Sequence, residues 1–164
     1  MKDTLPYCTT EKAIKGYEES EIAKNETNDC VVRAFASCFE VSYNYAHGYV
    51  KDYFGRKNRQ GTYGTVIKMT ELAENRTQVN YKKVKCLGKV NESNKRTLEY
   101  EVKVKGKKVK RKMTVGTFTK QNPVGTFFML VNRHAFTIKD GVVIGNPEDS
   151  VMKKRRLLHA FEIK

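Results

Sequence analysis

The sequence predicts an α+β domain with its helices first and an antiparallel sheet after them. Three observations carry that reading. Between residues 30 and 74 the apolar residues recur at helical spacing. From residue 79 onward they alternate with polar ones over short runs. Turn signals at Lys105-Gly106 and Lys139-Asp140-Gly141 divide those runs into hairpins. At 164 residues the chain is expected to fold as a single domain, 1–164, around one core.

Residues 1–24 are polar with scattered apolar positions (Leu5, Tyr7, Ile14, Tyr17, Ile22) and are expected as an arm or one short helix. Thr27-Asn28-Asp29 ahead of the run Val31 to Phe39 reads as an N-cap followed by a mostly buried helix. A second helix is expected from Tyr43 to Phe54, closed by Gly55, with a basic loop, Arg56-Lys57-Asn58-Arg59-Gln60-Gly61, behind it. A third spans about 63–74, with Val66, Met69, Leu72 and Ala73 on one side.

Val79, Tyr81 and Val84 begin the strand region, and residues 88–96 form a polar connection. Tyr100, Val102 and Val104 then alternate with charged residues up to Lys105-Gly106-Lys107, and Val109 and Met113 continue beyond it. This is an inserted basic hairpin, about 97–113. Residues 114–121 suit a short helix before Asn122-Pro123, Phe127 to Val131 a buried strand, and Leu157 to Ile163 a last strand.

Between those two strands lies the segment His134 to Asn146. A three-residue turn at 139–141, with Gly141 left-handed, would pair Ile138 with Val142, Phe136 with Ile144 and His134 with Asn146. That register gathers His134, Phe136, Ile138, Val142, Ile144 and Asn146 on the face expected to meet the helix carrying Cys30. A two-residue Asp140-Gly141 turn would slip the pairing by one and separate His134 from Asn146. In the favoured register an imidazole stands beside a carboxamide, as a general base stands beside its orienting partner in Cys-His-Asn hydrolases.

Cys30 completes the set. In the first turn of its helix, unpaired N–H groups and the helix dipole favour a thiolate, while Asp29 opposes it. A nearby histidine would decide for activation. Taken without that histidine, Cys30 reads as a small buried hydrophobe beside Ala34 and Cys38. Cys8, Cys38 and Cys86 lack an activating context, and His47 and His159 read as structural or solvated. The four cysteines have no CxxC or His-rich spacing, so neither a metal site, a disulfide framework nor another cofactor is expected, and reduced thiols are the default.

The chain carries 32 basic and 18 acidic residues, a formal charge of +14, which attracts nucleic acid or acidic partners but equally suits a lysine-rich solvated surface. Lys103, Lys105, Lys107, Lys108, Lys110, Arg111 and Lys112 make seven of ten consecutive residues cationic. They read either as edge-strand protection or as an arm for phosphates or an acidic protein. The loop 56–60 and the run 153–156 would extend that patch if they folded to one side. No apolar run approaches the about 18 residues that span a bilayer, and there is no signal-peptide core. A cytoplasmic protein without membrane partners is therefore expected.

Several short motifs resemble a known group. Asn28-Asp29-Cys30-Val31-Val32-Arg33-Ala34, Gly55-Arg56, Gly61-Thr62, Asn122-Pro123-Val124-Gly125-Thr126-Phe127, and His134-Ala135 through Asp140-Gly141 to Asn146 are similar to small papain-like proteins common in bacteriophages and bacteria. The resemblance covers about residues 28–67 and 114–148, and leaves out the N-terminal arm and the basic hairpin. It implies a papain-like fold, N-terminal helices on a C-terminal antiparallel sheet, with Cys30 as nucleophile, His134 as base and Asn146 as orienter.

Papain-like enzymes often carry a Gln shortly before the nucleophile to hold the oxyanion, and here the first Gln is Gln60. Asn28 or Asn25 is the substitute, with the Cys30 N–H as second donor; losing one donor costs about 10²–10³ in rate. Asp149 is an alternative orienter, although it lies beyond Pro147.

The expected function is a cysteine peptidase- or isopeptidase-like hydrolase acting on protein or peptide substrates, phage-encoded and working in the host cytoplasm. An acyltransferase would use the same triad. The alternative is a non-catalytic papain-fold binding protein whose basic surface takes nucleic acid or an acidic partner protein.

Overall fold

The computed structural model describes residues 4–87 and 98–164. The polar connection expected at 88–96 and the first residue of the expected hairpin lie outside them. In chain order the elements are β1 (Tyr7–Thr9), α1 (Thr10–Ala13), α2 (Glu21–Lys24), α3 (Cys30–Phe39), α4 (Tyr43–Phe54), α5 (Thr65–Glu74), β2 (Gln78–Val79), β3 (Lys82–Leu87), β4 (Glu99–Val104), β5 (Lys107–Lys112), α6 (Val115–Gln121), β6 (Thr126–Val131), β7 (His134–Lys139), β8 (Val142–Gly145), a 3-10 helix (Pro147–Lys154) and β9 (His159–Ile163). The fold is α+β. Among the described residues no helix is long and apolar enough to cross a membrane.

Local chemistry sets the helical layer. The Ser42 hydroxyl accepts from the Tyr45 N–H at 3.2 Å to start α4, and Gly55, at φ 72°, closes it. α3 is buried nearly all round, as suits a helix held between layers rather than on the surface. Val32, Phe35, Phe39, Tyr43, Val50, Met69 and Leu72 pack α3, α4 and α5 into one cluster. That cluster covers one face of the sheet at Phe128, Ala135, Phe161 and Ile163.

Among the described residues seven strands form one sheet in the order β1-β8-β7-β6-β9-β3-β2, with β1 and β8 parallel and the remaining pairs antiparallel. The N-terminal arm is thus partly a strand, with Tyr7, Cys8 and Thr9 opposite Val143, Ile144 and Gly145. Tyr81, expected within a strand, lies with Asn80 in a left-handed turn between β2 and β3 and is exposed. β4 and β5 form a separate two-stranded ribbon.

The β7–β8 hairpin differs from the sequence expectation. Its pairs are Thr137 with Ile144, Ile138 with Val143 and Lys139 with Val142, so the turn has two residues rather than three. Asp140 and Gly141 both have positive φ (48° and 79°), the type I′ arrangement whose twist matches that of the strands. The expected register assumed a single apolar face, whereas both faces of β7 are buried. Phe136, Ile138 and Val143 turn away from α3 into a second cluster with Phe127, Met129, Val115, Phe118 and Leu157. On the α3 side the one polar intruder, Thr137, is satisfied: its hydroxyl donates to the Ala34 carbonyl at 3.1 Å and lies 2.6 Å from the Ser37 hydroxyl. Left unpaired it would cost about 1–3 kcal/mol, so these bonds are what make the shifted register tenable.

Candidate active site

α3 starts where the backbone turns sharply. Asn28 has a left-handed φ of 54°, and the first helical hydrogen bond runs from the Arg33 N–H to the Asp29 carbonyl at 3.0 Å. Cys30 is therefore the first helical residue, among N–H groups without intrahelical acceptors. The carboxylate expected to oppose a thiolate is otherwise engaged. Asp29 Oδ2 accepts from the Tyr43 hydroxyl at 2.7 Å, and Oδ1 lies 3.1 Å from Arg33 Nε.

His134 opens β7 after a tight turn whose second residue, Arg133, is left-handed (φ 61°). Its ring stacks on Phe136 at 5.9 Å between centroids, and Nε2 lies 2.8 Å from Asp149 Oδ1. With Nε2 so engaged, Nδ1 is the nitrogen left to share a proton with the Cys30 thiol. Burial disfavours the thiolate of Cys30, but hydrogen bonds from the His134 ring and the Ala135 N–H, with the charges of His134 and Arg33, outweigh it and hold the thiol below its ordinary value. Burial likewise works against a charged His134. The bonds and charges of Asp149 and Cys30 prevail and raise its pKa to about 9. The two shifts act in the same direction, toward a thiolate–imidazolium pair. Burial prevails at Cys38, which is pushed up to about 12 despite a contact with the Thr137 hydroxyl, and burial is also the main cause that raises Cys86.

The partner of the histidine is the main correction to the sequence reading. Asn146 does not hold the ring. Its side-chain oxygen accepts from Arg33 Nη1 at 2.5 Å, because the one-residue slip in register removes it from the His134 face. Asp149 takes the position instead. Pro147 does not end the local structure but begins the 3-10 helix, which folds Asp149 back under the sheet. The buried carboxylate uses both oxygens, Oδ1 toward His134 and Oδ2 accepting from the Asn146 N–H at 2.9 Å. It fits only because residue 145 is glycine: a Cβ there would stand 2.1 Å from Asp149 Oδ2.

The proposed oxyanion residues are also placed elsewhere. Asn28 Nδ2 donates to the Arg59 carbonyl at 3.3 Å, and Asn25 Nδ2 to the Glu21 carbonyl at 2.8 Å. The site opens into a cleft of about 510 Å³ whose walls include Cys30, His134, Ala135, His159 and the segment Gly61 to Val66. Within it the Thr62 hydroxyl is buried and has no hydrogen-bond partner among the described residues.

Two arginines of the basic loop behind α4 are turned to the segment that leads into Cys30, and Arg59 Nη1 donates to the Asn25 carbonyl at 2.8 Å. Arg56 is buried, and its Nη2 donates to Glu26 Oε2 at 2.6 Å and to the Thr27 carbonyl at 3.1 Å. His47 Nε2 lies 3.0 Å from Glu26 Oε1, and the Arg59 N–H donates to Oε2 at 3.0 Å. Burial opposes the Glu26 charge, yet these bonds hold its pKa at about 2. The clamp fixes residues 25–28, the approach to Cys30. Sequence reasoning had singled out Gly55-Arg56 as a motif without supplying this role, because its acidic partner lies thirty residues away.

Among the described residues no group of three His, Cys, Asp or Glu is placed to hold a metal ion. Comparison with protein-family models, with curated proteins and with solved structures finds no match.

Proposed function

We propose that this protein is a papain-like cysteine hydrolase acting on an amide bond of a protein or peptide, with Cys30 as nucleophile, His134 as acid–base and Asp149 as orienter. One observation carries the reading: the His134 ring, held by Asp149 at 2.8 Å, lines the same open cleft as Cys30, where it acts to lower the thiol's pKa. The Cys30 thiolate attacks the substrate carbonyl, and the imidazolium gives its proton to the leaving amine, which departs as a thioester forms. Water then loses a proton to His134 as it attacks the thioester, releasing the acid and restoring the thiolate. The developing oxyanion would be met by the Cys30 N–H, with no Gln ahead of the nucleophile to act as a second donor. A thiolate kept ready in this way suits a reducing cytoplasm.

Limited alkylation with iodoacetamide at neutral pH, read by peptide mass spectrometry, tests this reading. Cys30 should be modified before Cys86, although Cys86 is the more exposed thiol. His134→Ala should slow Cys30 by about tenfold or more, as expected if its pKa rises by a unit. Preferential labelling of Cys86, or no effect of His134→Ala, would defeat the proposal.

A further inference from the structure

The ribbon β4–β5 stands outside the main sheet and outside the catalytic cleft, and its charges have no use within the described structure. Every residue from Lys103 to Lys112 is exposed. None of the seven cations forms an ion pair with a described residue. The turn is tight, with Lys105 and Gly106 both at positive φ (50° and 77°), so Lys105 stands at the tip.

Register assigns each cation to a face. The pairs Glu99–Lys112, Glu101–Lys110 and Lys103–Lys108 share one face, and Tyr100–Arg111, Val102–Val109 and Val104–Lys107 share the other. One face thus carries Lys103, Lys108, Lys110 and Lys112 against Glu99 and Glu101, the other Lys107 and Arg111 with no acidic residue. Protecting an edge strand takes a lysine or two on the edge; here both faces and the tip are cationic.

We infer that this ribbon is a docking arm for double-stranded nucleic acid, which it grips through phosphates on both sides of a groove. A six-residue antiparallel ribbon is about 20 Å long, and the DNA major groove admits a two-stranded β-ribbon between its two phosphate walls. An acidic protein surface would engage one face and leave the other unpaired. A single strand would require aromatic platforms for its bases, and the ribbon's one aromatic residue, Tyr100, packs at its root.

The root continues the basic surface. Thr114 bridges Arg156, the Val115 N–H donates to the Arg155 carbonyl at 2.9 Å, and the Leu157 N–H donates to the Met113 carbonyl at 2.9 Å. The run 153–156 therefore meets the foot of the ribbon. The next residues, Leu158 and His159, wall the cleft, so a duplex on the arm is anchored to the strand that bears that wall.

Fluorescence anisotropy with a fluorescein-labelled DNA duplex of about 20 base pairs and arbitrary sequence tests the inference. Wild-type protein and Cys30→Ala should bind alike, with log K falling against log salt at a slope of about −4 to −6, set by about 0.9 per phosphate contacted. A variant with Lys105, Lys107, Lys108 and Lys110 all replaced by Gln should lose at least about tenfold in affinity and have a slope shallower by about 3 to 4. Its Cys30 alkylation rate should remain that of the wild type, which shows that the fold is kept. Unchanged duplex binding in this variant would overturn the inference. So would tighter binding of poly-glutamate or of an oligo-dT strand than of the duplex at equal salt. Failure here with Cys30 labelling intact would leave the hydrolase proposal standing, and the reverse outcome would leave the arm.

Discussion

Asp149→Asn is expected to leave the fold intact and to slow acylation of Cys30 by a p-nitrophenyl ester by about 10²–10³-fold. Replacing the carboxylate of a catalytic triad by an amide costs about 10⁴ in serine enzymes, and a thiolate, being the stronger nucleophile, should suffer less. The loss has two origins. The carboxamide can donate to Nε2, which selects the wrong tautomer, and it removes the charge that does most to keep His134 protonated. Asn146→Ala should change the same rate by less than about tenfold, since Asn146 touches Arg33 and not the imidazole. Equal losses in the two variants, or a larger loss at Asn146, would return the orienting role to the carboxamide. Stopped-flow measurement of the acylation burst reads both.

Gly145→Ala should be nearly as damaging as Asp149→Asn, although glycine 145 has no side chain and touches no reacting atom. The added Cβ would meet Asp149 Oδ2 at 2.1 Å and Cγ at 3.2 Å. Asp149 is short and buried and cannot swing aside without breaking its bond to His134 or to the Asn146 N–H. The backbone of residue 145 should remain paired with Thr9, so circular dichroism should be unchanged while acylation falls. Retained activity in this variant would mean that Asp149 does not orient the ring from this position.

The local chemistry of the chain was legible wherever a few neighbouring residues decide the outcome. α4 runs from Tyr43 to Phe54 and is closed by Gly55 as expected, and Lys105-Gly106 folds the basic ribbon at the expected turn. The start of a helix at Cys30 and the place of His134 on a strand were likewise readable.

Layering across the whole sheet was not. The alternation from His134 to Asn146 was read as one buried face and one exposed face, but the second core cluster buries the other face as well. With that criterion gone, the twist preference of the Asp140-Gly141 turn decides the register. Asp149 was ranked behind Asn146 as the alternative orienter because it lies beyond Pro147 and past the paired strand; at the first position of a 3-10 helix, Pro147 instead begins an element. The parallel pairing of β1 with β8 joins residues more than 130 apart, and no local pattern announces it.

The pH dependence of Cys30 alkylation by iodoacetamide, in wild type and in His134→Ala, tests the central claim most directly. The reagent is uncharged and reads the thiolate. In the wild type, reactivity should rise with pH through a titration below the ordinary thiol value, and a second increase should follow near pH 9 as the imidazolium loses its proton and releases the thiolate from its pair. In His134→Ala the burial penalty remains while its main counterweight is gone, so a single titration should move up, to the ordinary thiol value or above it. A single curve at the ordinary thiol value in both proteins would contradict the account.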